Sequence, residues 1–159
     1  MTLGKIAPFI IIIAIIAFFT YSKYRASEQA KANRVAGAEF LAQNKSADGV
    51  VETSSGLQYV IMQQGAGGAK PKSNDSVTVH YHGTLLDGTV FDSSVERGAS
   101  IGFPLNRVIK GWTEGLQLMS VGDKYRFFIP ADLAYGDQSA GKIEPGSTLI
   151  FEVELLKIN

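Results

Sequence analysis

The chain has 159 residues, with Lys plus Arg and Asp plus Glu balanced at 15 each and no cysteine. The balance gives no net field to attract nucleic acid or an acidic partner, and the missing thiols exclude disulfides, thiolate zinc sites and cysteine nucleophiles. Two histidines, both on one short segment, leave little material for a metal site.

Ile6 to Phe19 is apolar throughout, and Lys5 and Lys23 bracket 17 uncharged residues. At about 1.5 Å per residue this is roughly 26 Å of helix, enough for a bilayer core of about 30 Å with snorkelling lysines at its ends. Tyr21 and Tyr24 fall where interfacial aromatics belong. Residues 1–24 therefore read as an uncleaved membrane anchor. A secretory signal peptide is the competing reading, for which Thr20-Tyr21-Ser22 is a poor cleavage site. Lys23, Arg25, Lys31 and Arg34 follow the run, and positive-inside counting alone places what comes after it in the cytoplasm.

Ser27 to Asn44 is rich in Ala, Glu, Gln and Lys. It predicts a short helix with Ser27 as N-cap, Asn44 as stop, and a thin apolar stripe of Val35, Phe40 and Leu41. Lys45 to Gly56 reads as a polar hinge. Residues 25–50 are thus expected to form a linker that holds a globular part, residues 51–159, away from the membrane.

From Leu57 the pattern changes to period two. Leu57–Met62 predicts a strand, ended by the Gly65–Gly68 loop and Lys70-Pro71. Val77, Val79 and Tyr81 alternate with Thr78, His80 and His82, and Asp87-Gly88 marks a turn. Tyr125, Phe127 and Ile129 alternate with Lys124, Arg126 and Phe128; Leu149, Phe151, Val153 and Leu155 alternate with Ile150, Glu152, Glu154 and Leu156. Only Ile109–Leu118 reads as a helix, kept short by Gly111 and Gly115, which cost about 1 kcal/mol each relative to alanine. An antiparallel sheet with one short helix against it is an α+β domain.

Most candidate sites have a plainer reading. His80 and His82 share one strand face, opposite Val77, Val79 and Tyr81, without an evident third ligand, and read as exposed polar positions. Gly136 to Lys142 fits seven positions of a phosphate-binding loop, but Ile143 stands where a Ser or Thr must hold magnesium, so nucleotide binding is rejected. No nucleophile elbow is visible, which leaves a hydrolase as a weak runner-up. What remains is a set of aromatics with one acid: Tyr81, Phe91-Asp92, Phe103, Trp112 and Tyr135. Each alone reads as core or turn chemistry; together they suit an apolar cleft with a few polar tips.

Val79-His80-Tyr81-His82-Gly83, Asp87-Gly88-Thr89-Val90-Phe91-Asp92-Ser93-Ser94 and Val108-Ile109-Lys110-Gly111-Trp112-Thr113-Glu114-Gly115 occur in that order. Met119-Ser120-Val121-Gly122, Ile129-Pro130, Ala134-Tyr135-Gly136 and Thr148 to Leu156 follow. From about Val51 to Asn159 this closely resembles the FKBP-type peptidyl-prolyl cis-trans isomerases. Upstream, Ala38 to Lys45 and Ser54 to Tyr59 resemble the bacterial Mip-like branch, in which a long helical arm dimerises the enzyme. Here the arm is cut short and replaced by the anchor, which leaves dimerisation open.

The resemblance implies an antiparallel sheet wrapped around one short helix, with the pocket between them. It implies a catalytic group of Asp92, Tyr135, Phe91 and Trp112, and a substrate-binding lining of Tyr81, Phe103, Val108, Ile109, Ile143 and Phe151. Trp112 becomes the pocket floor, Gly111 leaves room for a substrate backbone, and Gly115 lets the helix pack on the sheet. The implied partners are proline-containing polypeptides and macrolide inhibitors, with no cofactor and no metal. Ile101 falls where many relatives have an aromatic residue, and Glu144-Pro145 where many have Pro-Pro. The alternative function is a non-catalytic FKBP-like binding or chaperone module using the same pocket. In contrast to the charge count, the resemblance favours the periplasm for the isomerase domain, with clients that are membrane-proximal or secreted.

Overall fold

The computed structural model describes the chain from Leu3 to Asn159, with side chains from Phe9 onward. The flanking Lys5 side chain and those of Ile6 to Pro8 lie outside the described residues. The anchor and the linker helix of the sequence reading are one element, α1, Leu3–Asn44. Nothing between Phe19 and Ser27 breaks it, because that stretch holds no glycine or proline. From Phe9 to Tyr24 its side chains are exposed, and it is long and apolar enough to cross a membrane.

The last four turns of α1 do not stand off from the globular part. Ala30, Asn33, Arg34, Gly37, Phe40, Leu41 and Asn44, spaced three and four apart, form its covered face. Val35, expected in the apolar stripe, is 59% exposed. Phe40 packs on Phe128 with ring centroids 5.9 Å apart. The helix stops at Asn44, whose Nδ2 donates to Gln58 Oε1 at 2.8 Å, while Gln58 Nε2 donates to Leu41 O at 2.9 Å. Fully buried Gln58 thus ties the end of α1 to the globular part, sharing the Leu41 carbonyl with the Lys45 N–H at 3.0 Å. The polar hinge after it is also tied down: Glu114 accepts hydroxyls from Thr53 and Ser55, both at 2.6 Å.

The strands are β1, Val51–Glu52; β2, Gln58–Gln63; β3, Ser76–Leu85; β4, Val90–Ser93; β5, Ile101–Pro104; β6, Lys124–Ile129; and β7, Leu149–Ile158. They form an antiparallel sheet in the order β1-β2-β6-β7-β3-β4, with β5 also on β3. The period-two segments became β2, β3, β6 and β7, and their inward residues Val77, Val79, Tyr81, Phe127, Ile129, Phe151 and Val153 make the core. Phe128, which alternation assigns to the outer face, is also buried, because α1 covers it there.

Helix α3, Lys110–Leu116, crosses the inner face. A Cβ on Gly115 would stand 2.6 Å from Phe127 Cε1, and one on Gly111 would stand 2.6 Å from Ile129 Cγ2. Gly115 packs on the sheet as expected. Gly111 does the same one turn earlier, so it faces the core and not a substrate. Helix and sheet approach too closely there for any side chain.

Candidate active site

Trp112 projects from α3 over the core and is 6% exposed. Tyr81 of β3, Phe151 of β7 and Phe103 of β5 frame it, with ring centroids at 5.2, 5.1 and 5.3 Å. Phe91 of β4 meets Phe151 edge-on at 5.2 Å. Such T-shaped pairs set the positive edge of one ring against the negative face of the next and hold the cluster in one arrangement. The Trp112 indole Nε1 is the one buried side-chain polar atom without a hydrogen-bond partner among the described residues. Polar groups in a core are nearly always paired, so this donor stands apart from the packing.

Over this floor lies a cleft of ≈ 670 Å³. The residues named from sequence all line it: Tyr81, Phe91, Asp92, Phe103, Val108, Ile109, Trp112, Tyr135, Ile143 and Phe151. Ile101, Arg107 and Ala140 complete the wall. Val108 and Ile109 reach the cleft because the chain turns sharply before α3, where Thr113 Oγ1 donates back to Leu105 O at 2.7 Å. Tyr135, Ala140 and Ile143 come from the long connection between β6 and β7.

The polar side of the cleft is a three-residue group of which sequence reasoning found two. Asp92 accepts hydrogen bonds from the Tyr81 hydroxyl and from Arg97, and Arg97 Nη2 donates to the Tyr81 oxygen at 3.0 Å. Arg97 also stacks on the Tyr81 ring, with Cζ 5.7 Å from its centroid. Its place is set by α2, Ser94–Arg97, a single helical turn absent from the sequence reading. Ser93 Oγ caps that turn by accepting the Glu96 N–H, and Gly98 closes it at φ 67°. The Ser93-x-x-Glu96 spacing with a glycine after Arg97 is the signal that marks it.

Burial pushes the Asp92 carboxyl up, but the hydrogen bonds from Tyr81 and Arg97 outweigh it and hold the group below the usual carboxylate range. Burial, together with the bond to Asp92, raises the Tyr81 phenol above its ordinary value. At neutral pH the cleft therefore presents an ionised carboxylate and a neutral phenol donor, already bonded to each other. His80 and His82 are half-buried and not exposed as expected, with Nδ1 atoms 3.0 Å from Ser94 Oγ and 2.9 Å from Ser93 Oγ. They brace α2 against β3. The cleft thus offers an apolar aromatic floor and a fixed polar rim, a surface suited to binding and distorting a neutral group.

Comparison with known proteins bears on this arrangement. The family model described as FKBP-type peptidyl-prolyl cis-trans isomerase matches residues 67–156, and that of the domain amino-terminal to such isomerases matches residues 11–61. The FKBP-type peptidyl-prolyl cis-trans isomerase FkpA of Aeromonas hydrophila is 55% identical over 137 residues, covering 86% of this chain and 51% of the relative. The outer membrane protein MIP of Legionella longbeachae is 50% identical over 133 residues, covering 83% of this chain and 57% of the relative. The chain therefore spans about half the length of these two relatives. Among solved structures, FkpA from Escherichia coli superposes with a TM-score of 0.85 at 39% identity, covering 94% of this chain and 71% of the other.

Proposed function

The chain belongs to the FKBP-type peptidyl-prolyl cis-trans isomerase family, and on that premise we propose that its aromatic cleft accelerates rotation about X–Pro bonds in polypeptide substrates. The observation that carries this reading is the Trp112 face, framed by three rings in an apolar cleft with one ionised carboxylate at its rim.

Rotation about a peptide bond has a barrier of about 18–20 kcal/mol because amide resonance must be lost on the way. X–Pro bonds populate both isomers and interconvert over tens to hundreds of seconds. No bond is broken, so neither a nucleophile nor a base is required. A twisted amide has a less polar carbonyl and a more pyramidal nitrogen than a planar one. An apolar wall leaves the planar dipole unsolvated and so favours the twisted form by comparison. In this mechanism Trp112 lies under the proline ring, with Phe91, Phe151 and Tyr81 as walls. The Ile109 backbone N–H and the Tyr135 hydroxyl hold substrate carbonyls. Asp92 orients its neighbours Tyr81 and Arg97 at the rim of the cleft. The same floor accepts macrolide inhibitors, with Ile101 and the loop after Tyr135 setting their affinity.

The exposed apolar length of α1 anchors the chain in a membrane, with the isomerase domain on the periplasmic side. From Phe19 to Arg34 the helix rises about 22 Å. The cleft then works close to the bilayer, on membrane-proximal or secreted chains as they fold. A protease-coupled assay on a proline peptide tests the activity. Asp92→Val and Phe91→Tyr are expected to lower kcat/KM by about tenfold in folded protein. Unchanged catalysis in both would remove the site assignment, and no acceleration by the native chain would leave a binding module. A reporter fused after Asn159 and active only outside the cytoplasm tests the membrane side.

A further inference from the structure

Two turns of α1 lie across the connection from Pro130 to Thr148, which brings Tyr135 to the cleft. Arg34 bridges two carboxylates on either side of Tyr135, with Nη2 2.8 Å from Asp132 Oδ1 and Nε 2.7 Å from Asp137 Oδ1. From the preceding residue, Asn33 Nδ2 donates to Pro145 O at 2.8 Å. The two segments also touch directly. A Cβ on Gly146 would stand 2.3 Å from Ala30 O, and one on Gly37 would stand 2.2 Å from Thr148 Oγ1. Within the connection, Gly146 N–H donates to Gly136 O at 2.8 Å, and Ala140 pairs with Ile143. The points held by α1 are therefore joined to each other through the turn that lines the cleft.

We propose that the docked part of α1 is a positioning element for the cleft, with Arg34 as its positioning residue. By holding Asp132 and Asp137 together, Arg34 fixes the arm that carries Tyr135. Exposed ion pairs contribute little to global stability, and Asp132 and Asp137 are 78% and 62% exposed. The effect of Arg34 is local: its planar fork engages two carboxylates at once and ties the turn before Tyr135 to the turn after it. Losing it frees the loop, and a substrate must then order the loop as it binds. Trp112, Phe91 and Phe151 keep their places, so binding suffers more than turnover. The effect on substrate rests on the isomerase reading above; the clamp itself does not.

The test uses the full chain in detergent micelles, with amide hydrogen exchange across residues 131–148 and isomerase kinetics measured side by side. In Arg34→Ala, exchange in this segment and KM are each expected to rise about threefold to tenfold, with kcat within about twofold of the native value. Arg34→Lys keeps one of the two pairs and falls between. Asp137→Asn moves both readouts in the direction of Arg34→Ala. Lys31→Ala removes a neighbouring cation paired with Glu28 at 2.8 Å on the exposed side of the helix, and behaves as the native chain. Unchanged loop exchange in Arg34→Ala, raised exchange with unchanged KM, or an equal effect of Lys31→Ala would each overturn the proposal. If the native chain shows no isomerase activity, the proposed function falls, and loop exchange alone decides the clamp.

Discussion

Gly83 lies on β3 behind the cleft's aromatic wall, opposite Phe151 on β7 and Asp92 on β4. A Cβ built on it would stand 2.6 Å from Phe91 Cζ and 2.8 Å from Phe151 Cε1. Carbon atoms pack at about 3.5–4.0 Å, so Gly83→Ala must displace a ring by close to 1 Å. Phe151 is 5% exposed and wedged against Trp112 and Tyr81, whereas Phe91 is only half-buried, so Phe91 is the ring that yields. Overpacking costs about 1–3 kcal/mol, and a ring free to swing towards solvent puts this site near 1 kcal/mol. In a domain of this size that lowers Tm by about 4 °C. Function should suffer more, because a misplacement of about 1 Å in a site costs up to 100-fold; we expect at least tenfold in kcat/KM by the protease-coupled assay. Gly102→Ala on β5 is the control, since its Cβ would meet nothing closer than 3.5 Å, and both Tm and kcat/KM should hold. Native kcat/KM in folded Gly83→Ala, or equal losses in the two variants, would refute the placement of Phe91 and Phe151 as walls.

Other expected outcomes follow from the same contacts. Gly115→Ala presses a methyl onto fully buried Phe127, which cannot move aside, so chemical denaturation should show a loss of about 2–3 kcal/mol. Adding Phe127→Leu should recover part of it, as coupled neighbours do. The Asp92 carboxyl is depressed in the folded chain, so its contribution to stability is present above the ordinary carboxylate value of about 4 and is lost as pH falls through the lowered folded value. The stability difference between the native chain and Asp92→Asn should therefore be constant from about pH 5 to 8 and shrink below about pH 4; a difference that shrinks at neutral pH would contradict it. Ile12→Asp with Ile16→Asp places two charges in the apolar run, each costing about 2.5–3.5 kcal/mol in a bilayer. That variant should leave the membrane fraction on sedimentation, whereas the native chain should stay with it until detergent is added.

The sheet was legible because its strands are half-buried. Val77, Val79 and Tyr81 on β3, and Tyr125, Phe127 and Ile129 on β6, carry the alternation that burial on one face requires. The cleft was legible because its floor and walls lie in motif blocks around Trp112 and Phe91. Docking of α1 was not, although Phe40 and Leu41 of the expected stripe are covered: the rest of the covered face is Ala30, Asn33, Arg34 and Gly37, small or polar residues that allow close approach, while Val35 is exposed. Phe128 was assigned to the outer face for the same reason: its cover is Phe40, far away in sequence. Arg97 was missed although the capping residues of its turn are plain in the sequence. Its partnership with Asp92 depends on that turn folding back onto β3, which no local spacing encodes.

The central claim is that the cleft accelerates isomerisation and does not merely bind. Exchange NMR on a short proline peptide tests it most directly, by reading cis–trans interconversion with a small fraction of the full chain present. The account predicts exchange cross-peaks between the two isomers within a second or so, against tens of seconds or more without protein, and their loss in Asp92→Val. Peptide resonances that shift on binding while the interconversion rate stays at its uncatalysed value would contradict it.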